Sequence, residues 1–132
     1  MGCVQGMTKQ EITGIGFESF GIGHFFEFHM YSNGKLEFEG VHISRELNGK
    51  YEGFVHPKKV LKLLAHIERQ RFDDLNYDRP IYGVDCEIAT ITVHRGTWTK
   101  KARVVIGVEP PELRAITRLI LWLFDQSKLT KV

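Results

Sequence analysis

A chain of 132 residues, 42% of them hydrophobic, is long enough to close one core without disulfide or metal staples and short for two domains. Its 18 Lys and Arg stand against 16 Asp and Glu, a formal net charge of +2, so no global field demands a polyanionic partner. No apolar run approaches the roughly 20 residues of a membrane span, and no charged n-region with an apolar h-region opens the chain.

Residues 1–10 read as a flexible polar tail before a single domain over 11–132. The opening Met1, Gly2 and Cys3 half-fit an N-myristoylation signal with an acylatable Cys, but Gly6 stands where Ser or Thr is needed. As written, the chain is expected to be cytoplasmic, or exported if an upstream signal has been removed. Cys3 and Cys86 are spaced like neither a disulfide framework nor a metal set, so both are expected as free thiols, with Cys86 a small buried hydrophobe.

Ile12, Ile15, Phe17 and Phe20, interrupted by Gly14 and Gly16, read as a strand with a bulge or a close backbone approach. Gly21, Ile22 and Gly23 then turn the chain into residues 24–41, where two apolar-alternating arms flank Asn33 and Gly34. A two-residue loop there would put the apolar sets of the arms on opposite faces. A three-residue loop of Ser32, Asn33 and Gly34, with Gly34 left-handed, sets Met30 against Leu36, Phe28 against Phe38 and Phe26 against Gly40, and this is the expected register. Gly40 reads as a second bulge, after which Val41 and Ile43 change sides. Leu47, Asn48, Gly49 and Lys50 form a further turn into a short strand over 51–55.

Pro57 opens a helix reaching about Arg71, with Val60, Leu61, Leu64 and Ile67 as its core positions. Its other face carries Lys58, Lys59, Lys62, His66 and Arg69 against Glu68 alone, and reads as a solvated surface. Nucleic acid is not expected as a partner, because no aromatics interleave with these charges to stack on bases. Residues 72–84 read as a loop anchored by its aromatics. A strand over 86–94, with Ala89, Ile91 and Val93 on one face, turns at Arg95 and Gly96 and returns over 99–106 with Ala102, Val104 and Ile106 alternating.

Pro110, Pro111 and Glu112 open the last helix, whose core stripe is Leu113, Ile116, Ile120, Leu123 and Phe124 and which should end near Gln126. Successive helical residues advance by about 100°, so Trp122 lies nearly opposite Leu113. Trp122 is then either covered by another segment, such as the tail or the 72–84 loop, or exposed with Leu119 in an apolar patch that a partner would bury. The expected fold class is α+β, a mainly antiparallel sheet of about five to six strands with two amphipathic helices, in the order β-β-β-(β)-α-β-β-α.

Chemistry is hard to find. Asp74, Asn76, Asp78 and Asp85 imitate an EF-hand loop, but Arg79 replaces the required Gly and a strand follows where a helix should. Cys86 and His94 share a strand face yet stand about 26 Å apart in a straight strand. None of His24, His29, His42, His56, His66 and His94 pairs at a metal-ligand spacing, and no Ser sits in a nucleophile elbow. No metal or cofactor is therefore expected, and the residues argue against catalysis more than for it. The leading expectation is a non-catalytic binding or protein-interaction module, taking a second copy or another protein through Trp122 and Leu119 of the last helix. The alternative is a small ligand-binding domain or enzyme whose site, drawn from Asp85, His29 and Glu87, assembles only in three dimensions.

The run Phe20-Gly21-Ile22-Gly23-His24-Phe25-Phe26, the Asn33-Gly34 turn and the Phe38-Glu39-Gly40 close of the next strand resemble a bacterial family of small domains of unknown function. That family, often found in exported lipoproteins, carries a Cys-x-Gly-x-Cys-Pro-x-Tyr segment before such a hairpin. Phe72, Leu75 and Tyr77, then Asp85 before a strand, are similar to its spacing further on. Both cysteines of the segment are absent here, so the resemblance implies the order of elements and no redox or metal role.

Overall fold

Strand β1 (Gly14–Gly21) pairs antiparallel with β2 (His24–Tyr31), and β2 with β3 (Lys35–Val41), in a computed structural model that describes residues 11–21, 24–41, 48–81 and 86–132. The β2–β3 register is the expected one: Met30 faces Leu36, Phe28 faces Phe38 and Phe26 faces Gly40. Gly34 sits at φ +95°, its N–H donating to the Tyr31 carbonyl at 2.8 Å while the Asn33 side chain accepts from Lys35 N–H at 3.0 Å. The loop thus adds the one residue needed to keep both apolar sets on one face.

Four further strands follow: β4 (Gly49–Phe54), β5 (Ile88–Arg95), β6 (Trp98–Val105) and β7 (Lys128–Lys131). They complete a sheet ordered β6-β5-β1-β2-β3-β4-β7, in which every pairing among the described residues is antiparallel. β1 is the hinge of the topology, because it pairs with β2 on one side and with β5 from the second half of the chain on the other.

The α+β class stands, but the described residues hold seven strands and the order β-β-β-β-α-β-β-α-β. The extra strand, β7, has the sequence Lys-Leu-Thr-Lys with only Leu129 half-buried, too short and polar for a period-2 signal. It forms because the last helix returns the chain beside the open edge of β4, whose backbone groups need partners. Of the two readings of Gly14 and Gly16 the bulge is absent, since both pair in unbroken register, and the bulge expected at Gly40 does not occur, since it pairs regularly with Phe26 and Gly49. The glycines of β1 instead permit close approach, since a Cβ on Gly16 would lie 3.1 Å from His29 Nδ1 and one on Gly14 would lie 3.3 Å from Tyr31 Cδ1. Ile22, Gly23, Ile43, Leu47 and the residues 82–85 lie outside the described residues.

Two helices, α1 (Pro57–Arg69) and α2 (Pro111–Gln126), cover one face of the sheet. His56 caps α1, its Nδ1 accepting from Lys58 N–H at 3.2 Å, and Pro57 takes the first helical position, where no N–H is needed. The buried positions of α1 are Val60, Leu63, Leu64 and Ile67. Leu63 replaces the expected Leu61, which is exposed. From α2 come Leu113, Ile116, Thr117, Ile120 and Leu123, while Phe124 stacks on Phe28 and Phe38 with ring centroids 4.5 and 5.2 Å away. Offset aromatic stacking of this kind adds to the area buried and locks α2 onto β2 and β3.

The charge of Arg95 is sealed into this layer. Arg95, at the end of β5 and 2% exposed, forms a two-pronged ion pair with Glu68 in the last turn of α1 and lies 3.2 Å from Asp73. Asp73 belongs to the short 3-10 turn Phe72–Asp74, entered through Arg71 in the left-handed region at φ 54°. The fork geometry of the guanidinium joins strand, helix and turn at one point. Phe72 is buried beneath it, and Leu75 and Tyr77 pack against the core, so the start of the 72–84 segment is anchored as expected. Cys86, by contrast, is exposed just ahead of β5 and is no core residue.

Candidate functional site

Two surfaces survive the packing of the core: the outer side of the helix layer, and the face of the sheet turned away from it. They differ in charge.

On the helix layer, period 3.6 puts Pro111, Arg114, Ala115, Arg118, Leu119 and Trp122 of α2 on one outward strip, which borders a shallow hollow of about 600 Å³. A second hollow of about 370 Å³ continues it into the seam with α1, where Lys62, Ala65, His66 and Arg69 meet Ala115 and Leu119. The floor is apolar because Ala65 and Ala115 hold back no side chain and Leu119 lies half-buried between them. The rim is cationic. Among the described residues Lys62, Arg69 and Arg118 make no ion pair, and Arg114 spends one N–H on the Glu109 carbonyl at 3.2 Å.

Trp122 closes one end of the strip, with half its surface exposed. No described segment covers it. The Lys59 ammonium lies 5.5 Å from the centroid of its ring and donates to Gln126 Oε1 at 2.8 Å. The lysine-rich face of α1 and the apolar strip of α2, read separately in the sequence, are therefore one surface. That also changes the premise on which nucleic acid was set aside, since an aromatic ring does stand among these lysines. Arg114, Ala115 and Arg118 were missed as members, although their spacing with Leu119 and Trp122 carries the helical period; Ala65, on α1, joins them only through packing.

On the sheet's other face the register lines up carboxylates: Glu18 beside Glu27, Glu27 beside Glu39, and Glu37 beside Glu52. A hollow of about 260 Å³ lies there, lined by Glu27, His29, Glu37, Glu39, Lys50 and Glu52 among others. His29 leans over Gly16, with its Nε2 4.0 Å from Glu27 Oε2 and its ring centroid 6.1 Å from that of His94. Burial, then the neighbouring His29 and Lys101, lower the pKa of His94 below the ordinary imidazole value. Tyr31 donates to Glu37 Oε1 at 2.7 Å; that hydrogen bond first, then burial and the carboxylate's charge, raise its pKa. At the end of this face Phe20 and Val41 are exposed beside Phe25.

Two members of the trio drawn from the sequence are held apart. His29 is on the open face, whereas Glu87 accepts a hydrogen bond from Ser19, which is buried on the helix side of β1. Asp85 lies outside the described residues. Asp74 of the calcium-like loop is tied to Arg71 at 2.9 Å, and no group of three or more His, Cys, Asp or Glu able to hold a metal occurs among the described residues. No helix among the described residues is long and apolar enough to cross a membrane. Compared with known proteins, the chain matches no family model and no curated sequence.

Proposed function

We propose that the chain is a non-catalytic protein-interaction module that binds through the strip of α2 and its seam with α1. The observation that carries this reading is Trp122, half-exposed at the end of an apolar floor with the Lys59 ammonium over its ring, while Leu113, Ile116, Ile120 and Leu123 of the same helix are fully buried. A large aromatic kept at the surface beside a shallow apolar strip is the residue type that anchors protein interfaces. The order of elements is the ground on which kinship with the small domains of unknown function is proposed, and it assigns no activity.

Selection of a displayed random-peptide library against the wild type, with Trp122→Ala as the counter-target, tests this. Sequences that bind the wild type and lose binding to Trp122→Ala are expected. A selection that returns none defeats the reading. A second reading, a small-ligand site, rests on the hollow beside His29; small-molecule-induced chemical-shift changes centred on His29 and Glu37 would favour it instead.

A further inference from the structure

We infer that the strip takes an acidic segment of another protein, in which carboxylates flank one aliphatic or aromatic side chain. The inference rests on the protein-interaction reading above and adds the chemistry of the partner. Its ground is charge complementarity. Lys62 and Arg69 on α1 and Arg114 and Arg118 on α2 surround the floor of Ala65, Ala115 and Leu119, so a single apolar side chain seated there has cations on both flanks. Guanidinium groups favour planar carboxylates, to which they donate two parallel hydrogen bonds.

The same features disfavour other anions. Nucleic acid binding without sequence preference uses successive open ring faces for stacking, and one face of Trp122 already carries the Lys59 ammonium. An anionic membrane takes up a face of several protruding apolar side chains, whereas among the residues lining the two hollows Trp122 is the one large exposed hydrophobic and Leu119 is half-buried. The carboxylates that a second copy lines up lie on the open face of its sheet, so a contact through them would be head-to-tail and not the self-complementary two-fold contact of a dimer.

The peptides recovered by the selection decide the matter. They are expected to be rich in Asp and Glu around one Leu, Phe or Trp, and replacing those acids by Asn and Gln should weaken binding about tenfold or more. Binding is read from Trp122 fluorescence in a Trp98→Phe background, since the chain has two tryptophans. Arg114→Gln with Arg118→Gln, both exposed, should shrink the difference between the acidic and amide peptides with folding intact, because Lys62 and Arg69 alone remain on the rim. Neutral or basic peptides that depend on Trp122 would overturn the acidic partner and leave the interaction module standing. A Trp122 response to an oligonucleotide or to anionic vesicles, with no peptide recovered, would overturn both. Concentration-dependent self-association lost on Arg118→Glu would make the occupant a second copy and overturn the inference.

Discussion

The Lys59 ammonium lies 5.5 Å from the centre of the Trp122 ring, joining the two helices on the outside of a layer whose inside is sealed. Trp122 is half exposed and its neighbour Leu123 fully buried, so adjacent residues of α2 should respond very differently to truncation. Trp122→Ala loses a cation–π contact at the surface and should cost about 1 kcal/mol or less. Leu123→Ala leaves a cavity in the core and should cost about 3 kcal/mol. Urea denaturation of the two variants checks this, and Trp122→Glu should stay folded; an unfolded Trp122→Glu would place the ring in the core and end the interface idea.

Gly34 and Gly107 separate backbone strain from crowding. Both have positive φ, +95° and +97°, but a Cβ on Gly34 would overlap the Val55 carbonyl oxygen, whereas one on Gly107 meets nothing within 4 Å. Gly107→Ala should therefore cost about 1 kcal/mol from strain alone. Gly34→Ala should cost about 2 kcal/mol or more, since the Gly34 carbonyl also accepts from Val55 N–H at 2.8 Å and cannot move freely. Equal denaturation midpoints would show that the loop yields.

Arg95→Met should destabilise the fold by about 2 to 3 kcal/mol, because it takes the guanidinium from Asp73, whose side chain is 14% exposed, and removes the fork on Glu68. Glu68 is 41% exposed and regains water, which holds the cost below that of a fully buried pair. Asp73→Asn in the Arg95→Met background should recover part of the loss, and a double-mutant cycle measures the coupling.

The His94 pKa is depressed in the folded state by burial, by His29 and by Lys101, so the unfolded chain binds the proton more readily. This contribution to stability is fully present above the unfolded imidazole value of about 6.5 and is lost as pH falls from there through the folded value. His94→Thr should flatten that part of the stability profile. Denaturation midpoints measured on both sides of this window would be displaced equally in wild type and variant if His94 had no part.

Alternation and helical periodicity sufficed for the hairpin register, for both helices and for most of the core, because those patterns report which face of an element is apolar and faces repeat every two or 3.6 residues. The register of residues 24–41 was legible down to the left-handed Gly34, since a two-residue loop would leave an apolar set in water. β7 was not legible: Lys128–Lys131 is a strand by virtue of the β4 edge it meets, which four polar residues cannot announce. Leu61 and Leu63 were likewise interchanged, as both fit a stripe until the position of the sheet chooses between them. The candidate site divides in the same way. The sequence by itself determined that Trp122 and Leu119 fall outside the core stripe and that Lys59 and Lys62 fall outside another. Only the tertiary structure brought Lys59 over Trp122, set His29 and Glu87 on opposite faces of the sheet, and joined two helix surfaces into one basic strip, because the distance between residues on different elements is set by packing, and no local period encodes it.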